Sequence, residues 1–182
     1  VDALTGFAST EDLALQDWCE ACVQELINIF TPELMNKCSK VTNLYIGNTD
    51  TTMDMDGVGK ILHVTRENAN SGYYTPCREI PAAYGDMSND SNNMMYYATA
   101  TDPVFWIESN SSGNSTLFVK PTPTSVQPSK VVHIAHPQVN IDSSEIGNFP
   151  DEANYLVVLY ASCKALQRLM SDSSTPSNIT TP

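Results

Sequence analysis

The chain has 182 residues, enough for one domain with an elaborated subdomain, and 41% of them are hydrophobic, enough for a real core. Nine Lys and Arg stand against 21 Asp and Glu, a formal net charge of −12. That balance argues against a general surface for gripping nucleic-acid phosphates, and no apolar run is long enough to predict a membrane span.

Val1–Phe7 has no basic region and no long apolar run, so it does not read as a signal peptide. The first residue is not Met, which reads as a processed or trimmed chain. Ser9, Thr10, Glu11 and Asp12 then supply an N-cap candidate and first-turn carboxylates. Leu15, Trp18, Cys19, Cys22, Leu26, Ile29 and Phe30 recur at spacings of three and four. This predicts a helix over 11–30 with one apolar stripe. Thr31-Pro32-Glu33 ends it and opens a short second helix to about Ser39, with Pro32 at its first position.

The middle predicts strands at Val41–Gly47, Gly59–Glu67, Met94–Thr101, Val104–Glu108, Ser115–Lys120 and Lys130–His136. These runs are rich in Val, Ile, Tyr, Phe and Thr, and turn residues bound them. Residues 70–72 and 111–114 predict tight turns, the second of them a hairpin. Gly85–Asn93 and the proline-bounded stretch 121–129 predict loops.

An irregular bridge, Pro137–Phe149, follows the last strand. Pro150-Asp151-Glu152 opens a helix with two carboxylates at its positive end, and the helix continues to about Met170. Its run from Tyr155 to Ala161 is apolar all round. Such a helix wants cover on every side, which predicts one side on its own sheet and another on a neighbouring subunit. Full burial within one domain is the alternative. Leu156, Val158 and Leu159 are the expected packing anchors. Ser171–Pro182 is Ser-, Thr- and Pro-rich and predicts an extended arm that something outside the domain must hold. Ser171, Pro176 and Pro182 mark it.

Motifs that promise chemistry do not survive their spacing. An odd count of five cysteines favours free thiols in a reducing compartment. Cys19 and Cys22 form a C-x-x-C well inside a helix, on its apolar stripe, where a redox pair would sit at a helix start. No second pair stands ready to complete a zinc site. Sequons at Asn89, Asn110, Asn114 and Asn178 read as polar loop composition. With Gly57 at position six of a calcium loop, Thr52 and His63 fall at the first and twelfth ligands, and neither is right. Gly57-Val58-Gly59-Lys60 lacks the upstream Gly and the Ser or Thr of a phosphate loop. His133 and His136, three apart on a strand, point to opposite faces. Tyr96, Tyr97, Phe105 and Trp106 read as sheet core or subunit contacts.

The run from Val131–Ile134 through Ile146-Gly147-Asn148-Phe149-Pro150-Asp151-Glu152 to Leu156–Leu166 carries a resemblance, and so does Tyr96–Val104. Strand, acidic bridge, Pro-acidic helix start and long apolar helix together resemble tailed-bacteriophage head-to-tail adaptor (connector or neck) proteins, of the tail tubular protein A type. The resemblance covers roughly residues 94–170. It implies a ring, usually of about twelve copies, docked between portal and tail or nozzle proteins, with a lumen through which genomic DNA passes without specific binding. It also implies arms that lock onto the portal or the next ring, and a place in the virion neck after synthesis in the host cytoplasm. The acidic balance suits a channel wall, since like charge keeps DNA from sticking. A strand-rich middle departs from a purely helical adaptor.

The expected fold is α+β. Helices at 10–39 and 150–170 pack on a mostly antiparallel sheet or partial barrel (41–136), in one adaptor-like domain, 1–170, with an arm at 171–182. The expected role is structural and non-enzymatic, with no cofactor, metal or membrane. The alternatives are a virion binding module, either a decoration or a receptor- or glycan-binding protein, and a lower neck or tail-terminator ring. The binding module would expose an aromatic cluster around Trp106.

Overall fold

The structure is a computed structural model describing residues 9–45, 49–68, 72–135, 137–140 and 146–174, those at 9–13 and 172–174 by backbone alone. The fold is α+β, and the chain divides into two compact units. Ser39–Ala135 forms a β unit. Val1–Cys38 and His136–Pro182 together form a helical one.

Among the described residues the β unit holds eight strands: β1 Ser39–Leu44, β2 Thr52–Asp54, β3 Val58–Glu67, β4 Tyr74–Pro76, β5 Arg78–Glu79, β6 Val104–Ser109, β7 Ser115–Lys120 and β8 Ser129–Ala135. They make two open four-stranded sheets, ordered β1-β8-β3-β4 and β2-β7-β6-β5. Every pairing is antiparallel except β5 with β6. The expectation of helices with mostly antiparallel β-structure therefore holds, with the strands divided, among the described residues, between two sheets and not closed into a barrel. Leu44, Val64 and Val131 from the first sheet meet Met53, Phe105, Leu117 and Val119 from the second, so the sheets face each other across one core.

The hairpin over 110–114 joins β6 and β7 as predicted, with Gly113 at φ 86° and its N–H donating to the Asn110 carbonyl at 3.0 Å. Asp54 and Gly57 serve the β2–β3 turn. The Asp54 carboxylate accepts from the Asp56 N–H at 3.1 Å, and Gly57 stands at φ 66°.

Met94–Thr101 is not a strand, contrary to its composition. Its backbone bonds are satisfied locally. The Asn93 side chain accepts from the N–H groups of Met95 and Tyr96, the Asn93 carbonyl from Tyr97, and the Ser88 carbonyl from Ala98. The segment has a packing reason to be there. Strand β6 buries Phe105 in the inter-sheet core, while Val104 and Trp106 point the other way. That outer face needs a lid, and Ile80, Tyr96 and Ala98 supply it, with Tyr84 stacked on Tyr96 at 4.4 Å. Within the lid the polar loop expected at 85–93 winds into a 3-10 turn, Asp86–Asn89.

Boundaries shift elsewhere. Strand β1 starts at Ser39, where the short helix was expected to end, and stops at Leu44, and residues 46–47 of the predicted strand lie outside the described residues, as does His136. Strands β2, β4 and β5, of two or three residues each, carry too little pattern to have been predicted.

The helical unit comprises α1 Ser9–Ile29, α2 Pro32–Lys37 and α3 Asn154–Ser174, the last preceded by a 3-10 turn, Asp151–Ala153. Pro32 opens α2 as its composition predicts. Phe30, just past α1, lies 5.6 Å from Phe149, just before α3, and the two helices pack along their lengths, so they run antiparallel. Lys37 pairs with Glu152, which holds that carboxyl below its usual range, first through the side-chain hydrogen bond. Helix α3 runs to Ser174, so residues 171–174 extend the helix and do not begin the arm.

A candidate assembly face on the paired helices

Two stripes run down α3. Val157, Ala161 and Ala165, each one turn apart, are buried beside Ala153. Small side chains let α3 lie close against α1, whose Cys22, Val23 and Ile27 are buried in turn. Within the helical unit α3 thus packs against α1. The predicted α1 stripe is rotated. Val23 and Ile27 join Cys22 in the core, and Ile29 is 76% exposed.

The opposite side of α3 is apolar and uncovered. Tyr155, Val158, Leu159, Leu166 and Met170 are 46% or more exposed, as is Leu169. Tyr155, Leu159, Ser162, Leu166 and Leu169 repeat at alternating spacings of four and three, the spacing of a helix seam that meets another helix. The one polar member is quiet, because the Ser162 hydroxyl donates to the Val158 carbonyl at 2.7 Å. Beside this face a groove of about 660 Å³ runs between the helices, lined by Leu26 and Ile29 from α1 and by Leu156, Leu159 and Cys163 from α3.

Of the expected anchors, Leu156 is half-buried in the groove wall, Leu159 is exposed at the groove's edge, and Val158 is exposed outside it. Ser171 is an exposed residue of α3, and Pro176 and Pro182 lie outside the described residues. Sequence reading missed Ile29, Tyr155, Leu166 and Met170 as members of this face. The available signal was side-chain size: the buried stripe is Val-Ala-Ala, and the large apolar residues lie on the other side.

The surroundings of Cys19 and Cys22 do not favour a reactive pair. Burial, then the neighbouring Glu20 for Cys19 and Glu25 for Cys22, pushes both thiols up, opposite to what a redox pair needs. Helix α1 contains Asp17, Glu20 and Glu25 and no Lys or Arg, whereas α3 from Asn154 to Ser171 has only Lys164 and Arg168 as charged residues. Elsewhere, His133 is buried between Thr42, 3.0 Å from its Nε2, and the Ile134 carbonyl, 3.2 Å from its Nδ1, so it is a satisfied core residue. Among the described residues no cluster of His, Cys, Asp or Glu is arranged to hold a metal ion, and no helix is long and apolar enough to cross a membrane.

Compared with protein-family models and with curated proteins, the chain matches none.

Proposed function

We propose that this chain is a self-assembling structural subunit, and that it forms a ring in the neck of a tailed-phage virion, joining portal to tail around the DNA channel. The observation that carries self-assembly is the uncovered apolar side of α3, from Tyr155 to Met170. Patches of this kind mark interaction sites. Burying its half-exposed large side chains adds roughly 1–2 kcal/mol each. The chain's net charge of −12 supports the choice of this face, since copies repel except where they meet through neutral surface. The phage assignment rests on the resemblance carried by Val131–Leu166.

The alternative binding module needs aromatic side chains displayed around Trp106. Trp106 is 6% exposed, and the lid over it displays chiefly Met94 and Met95, with Tyr84 and Tyr97 only 37% exposed. Mixing the protein with the portal encoded alongside it and imaging the product tests the reading. Rings seated on portal, with an open channel, are expected. Portal left bare at saturating protein overturns the neck assignment.

A further inference from the structure

The β unit is entered and left at one place. Its first and last strands, β1 and β8, are antiparallel neighbours, with Ser39 opposite Ile134. The two pieces of the helical unit, Val1–Cys38 and His136–Pro182, are therefore joined to it through strand ends that lie side by side, roughly 5 Å apart. Each unit has a core of its own, and the two cores are unequal. Leu44, Phe105, Leu117 and Val131 fill the space between the sheets, and Trp106 is sealed under its lid. The α1–α3 contact buries Val157, Ala161 and Ala165 beside Cys22, Val23 and Ile27, a smaller apolar surface. Apolar burial sets stability, and helices draw most of theirs from packing, so the helical unit is the weaker body.

We infer that the helical unit opens as a local unfolding event while the β unit stays folded, and that the β unit is the clasp that keeps α1 and α3 together through it. Pairing of β1 with β8 has already closed the chain between the two helices, so an opened pair meets again as neighbours. With those strands unfolded, α1 and α3 must find each other across the whole of Ser39–Ala135. The dependence runs one way: the helices need the sheets, and the sheets do not need the helices. The elements that carry the exposed apolar face are thus the ones released first, as is common for segments that bind. The opening stands without the self-assembly reading. One consequence rests on that reading: cover from another copy stabilises the helical unit and leaves the β unit as it was.

The full-length Trp18→Phe protein reports the two units separately. Its remaining tryptophan, Trp106, lies in the β unit, and far-ultraviolet ellipticity follows chiefly α1 and α3. Urea should remove the helical signal at a lower concentration than it shifts the tryptophan emission. Adding Ala161→Leu should lower the helical midpoint and leave the emission midpoint in place. If that variant loses its helices even in water, its Trp106 emission should stay native. Emission that shifts before the helices melt overturns the inference. So do signals that vanish together in both proteins, or an emission midpoint that falls with the helical one. Raising the protein concentration should move the helical midpoint up towards the emission midpoint. A gap that ignores concentration leaves the opening standing and counts against self-assembly.

Discussion

Arg66 Nη2 donates to Gln127 Oε1 at 2.7 Å. The same guanidinium, 2% exposed, donates through Nε to the Pro121 carbonyl at 2.7 Å and through Nη1 to the Glu67 carbonyl at 3.2 Å. These partners are carbonyls, not a carboxylate, so a buried cation is held by dipoles and in turn pins the proline-rich loop after β7 to β3. Arg66→Ala is expected to lower stability by about 2–4 kcal/mol in urea unfolding, since the loop carbonyls lose a charged donor. Arg66→Lys keeps the charge without the planar fork and falls between. A loss under 1 kcal/mol for Arg66→Ala counts against the cage.

Gly85 lies flat on Trp106. A Cβ there meets the indole Cε2, Cζ2 and Nε1 at 2.6–2.8 Å. Gly85→Ala must lift the lid or push the ring, costing about 1–3 kcal/mol. Tryptophan emission, compared in a Trp18→Phe background, is expected to shift to longer wavelength. An unchanged spectrum and midpoint would show that the lid gives way freely.

Cys77 sits against the inter-sheet core, and burial pushes its thiol from 9.0 up to about 12, against the pull of Arg66. Above pH ~9 the unfolded thiol ionises while the folded one keeps its proton. The stabilisation is whole below the unfolded value and is lost as pH climbs towards the folded one. Urea unfolding at pH ~8 and ~10.5 measures it. Cys77→Ala should lose about 1 kcal/mol less than wild type across that span, a figure discounted for solvent screening. Cys19, Cys22 and Cys38 shift upward as well, so the difference between proteins is the quantity to read. Equal slopes would place Cys77 in wetter surroundings.

The two stripes of α3 should separate stability from assembly. Ala161→Leu, on the buried stripe, is expected to cost about 1–3 kcal/mol by forcing α1 and α3 apart. Leu166→Ser, on the outer face, should change stability by less than about 1 kcal/mol while weakening assembly at least tenfold. Sedimentation and urea unfolding on the same samples decide it. A Leu166→Ser protein that unfolds early would mean that the outer face is already covered.

Much of the β unit was legible because its long strands are rich in Val, Ile, Phe and Thr and turn residues bound them. β3, β6, β7 and β8 fall within a residue or two of their predicted limits, and Gly113 marks the hairpin. Met94–Thr101 misled because Tyr, Ala and Thr suit a strand, while Asn93 ahead of them turns the chain and bonds its amides. Helix α3 was legible as a helix but not in its packing. An apolar count treats Ala161 and Leu166 alike, whereas close helix contact selects the small one. The face could be located near Leu156, Val158 and Leu159, yet the groove beside it needed α1 in place, with Leu26 and Ile29 beside α3.

The central claim is that α3 leaves one side for another copy of the chain. The most direct test is the light-scattering mass of the purified protein over a range of concentrations, alone and with portal. Self-assembly predicts a closed oligomer, about twelve copies if the ring is that of a phage neck. A single-chain mass at every concentration, unmoved by portal, would contradict it.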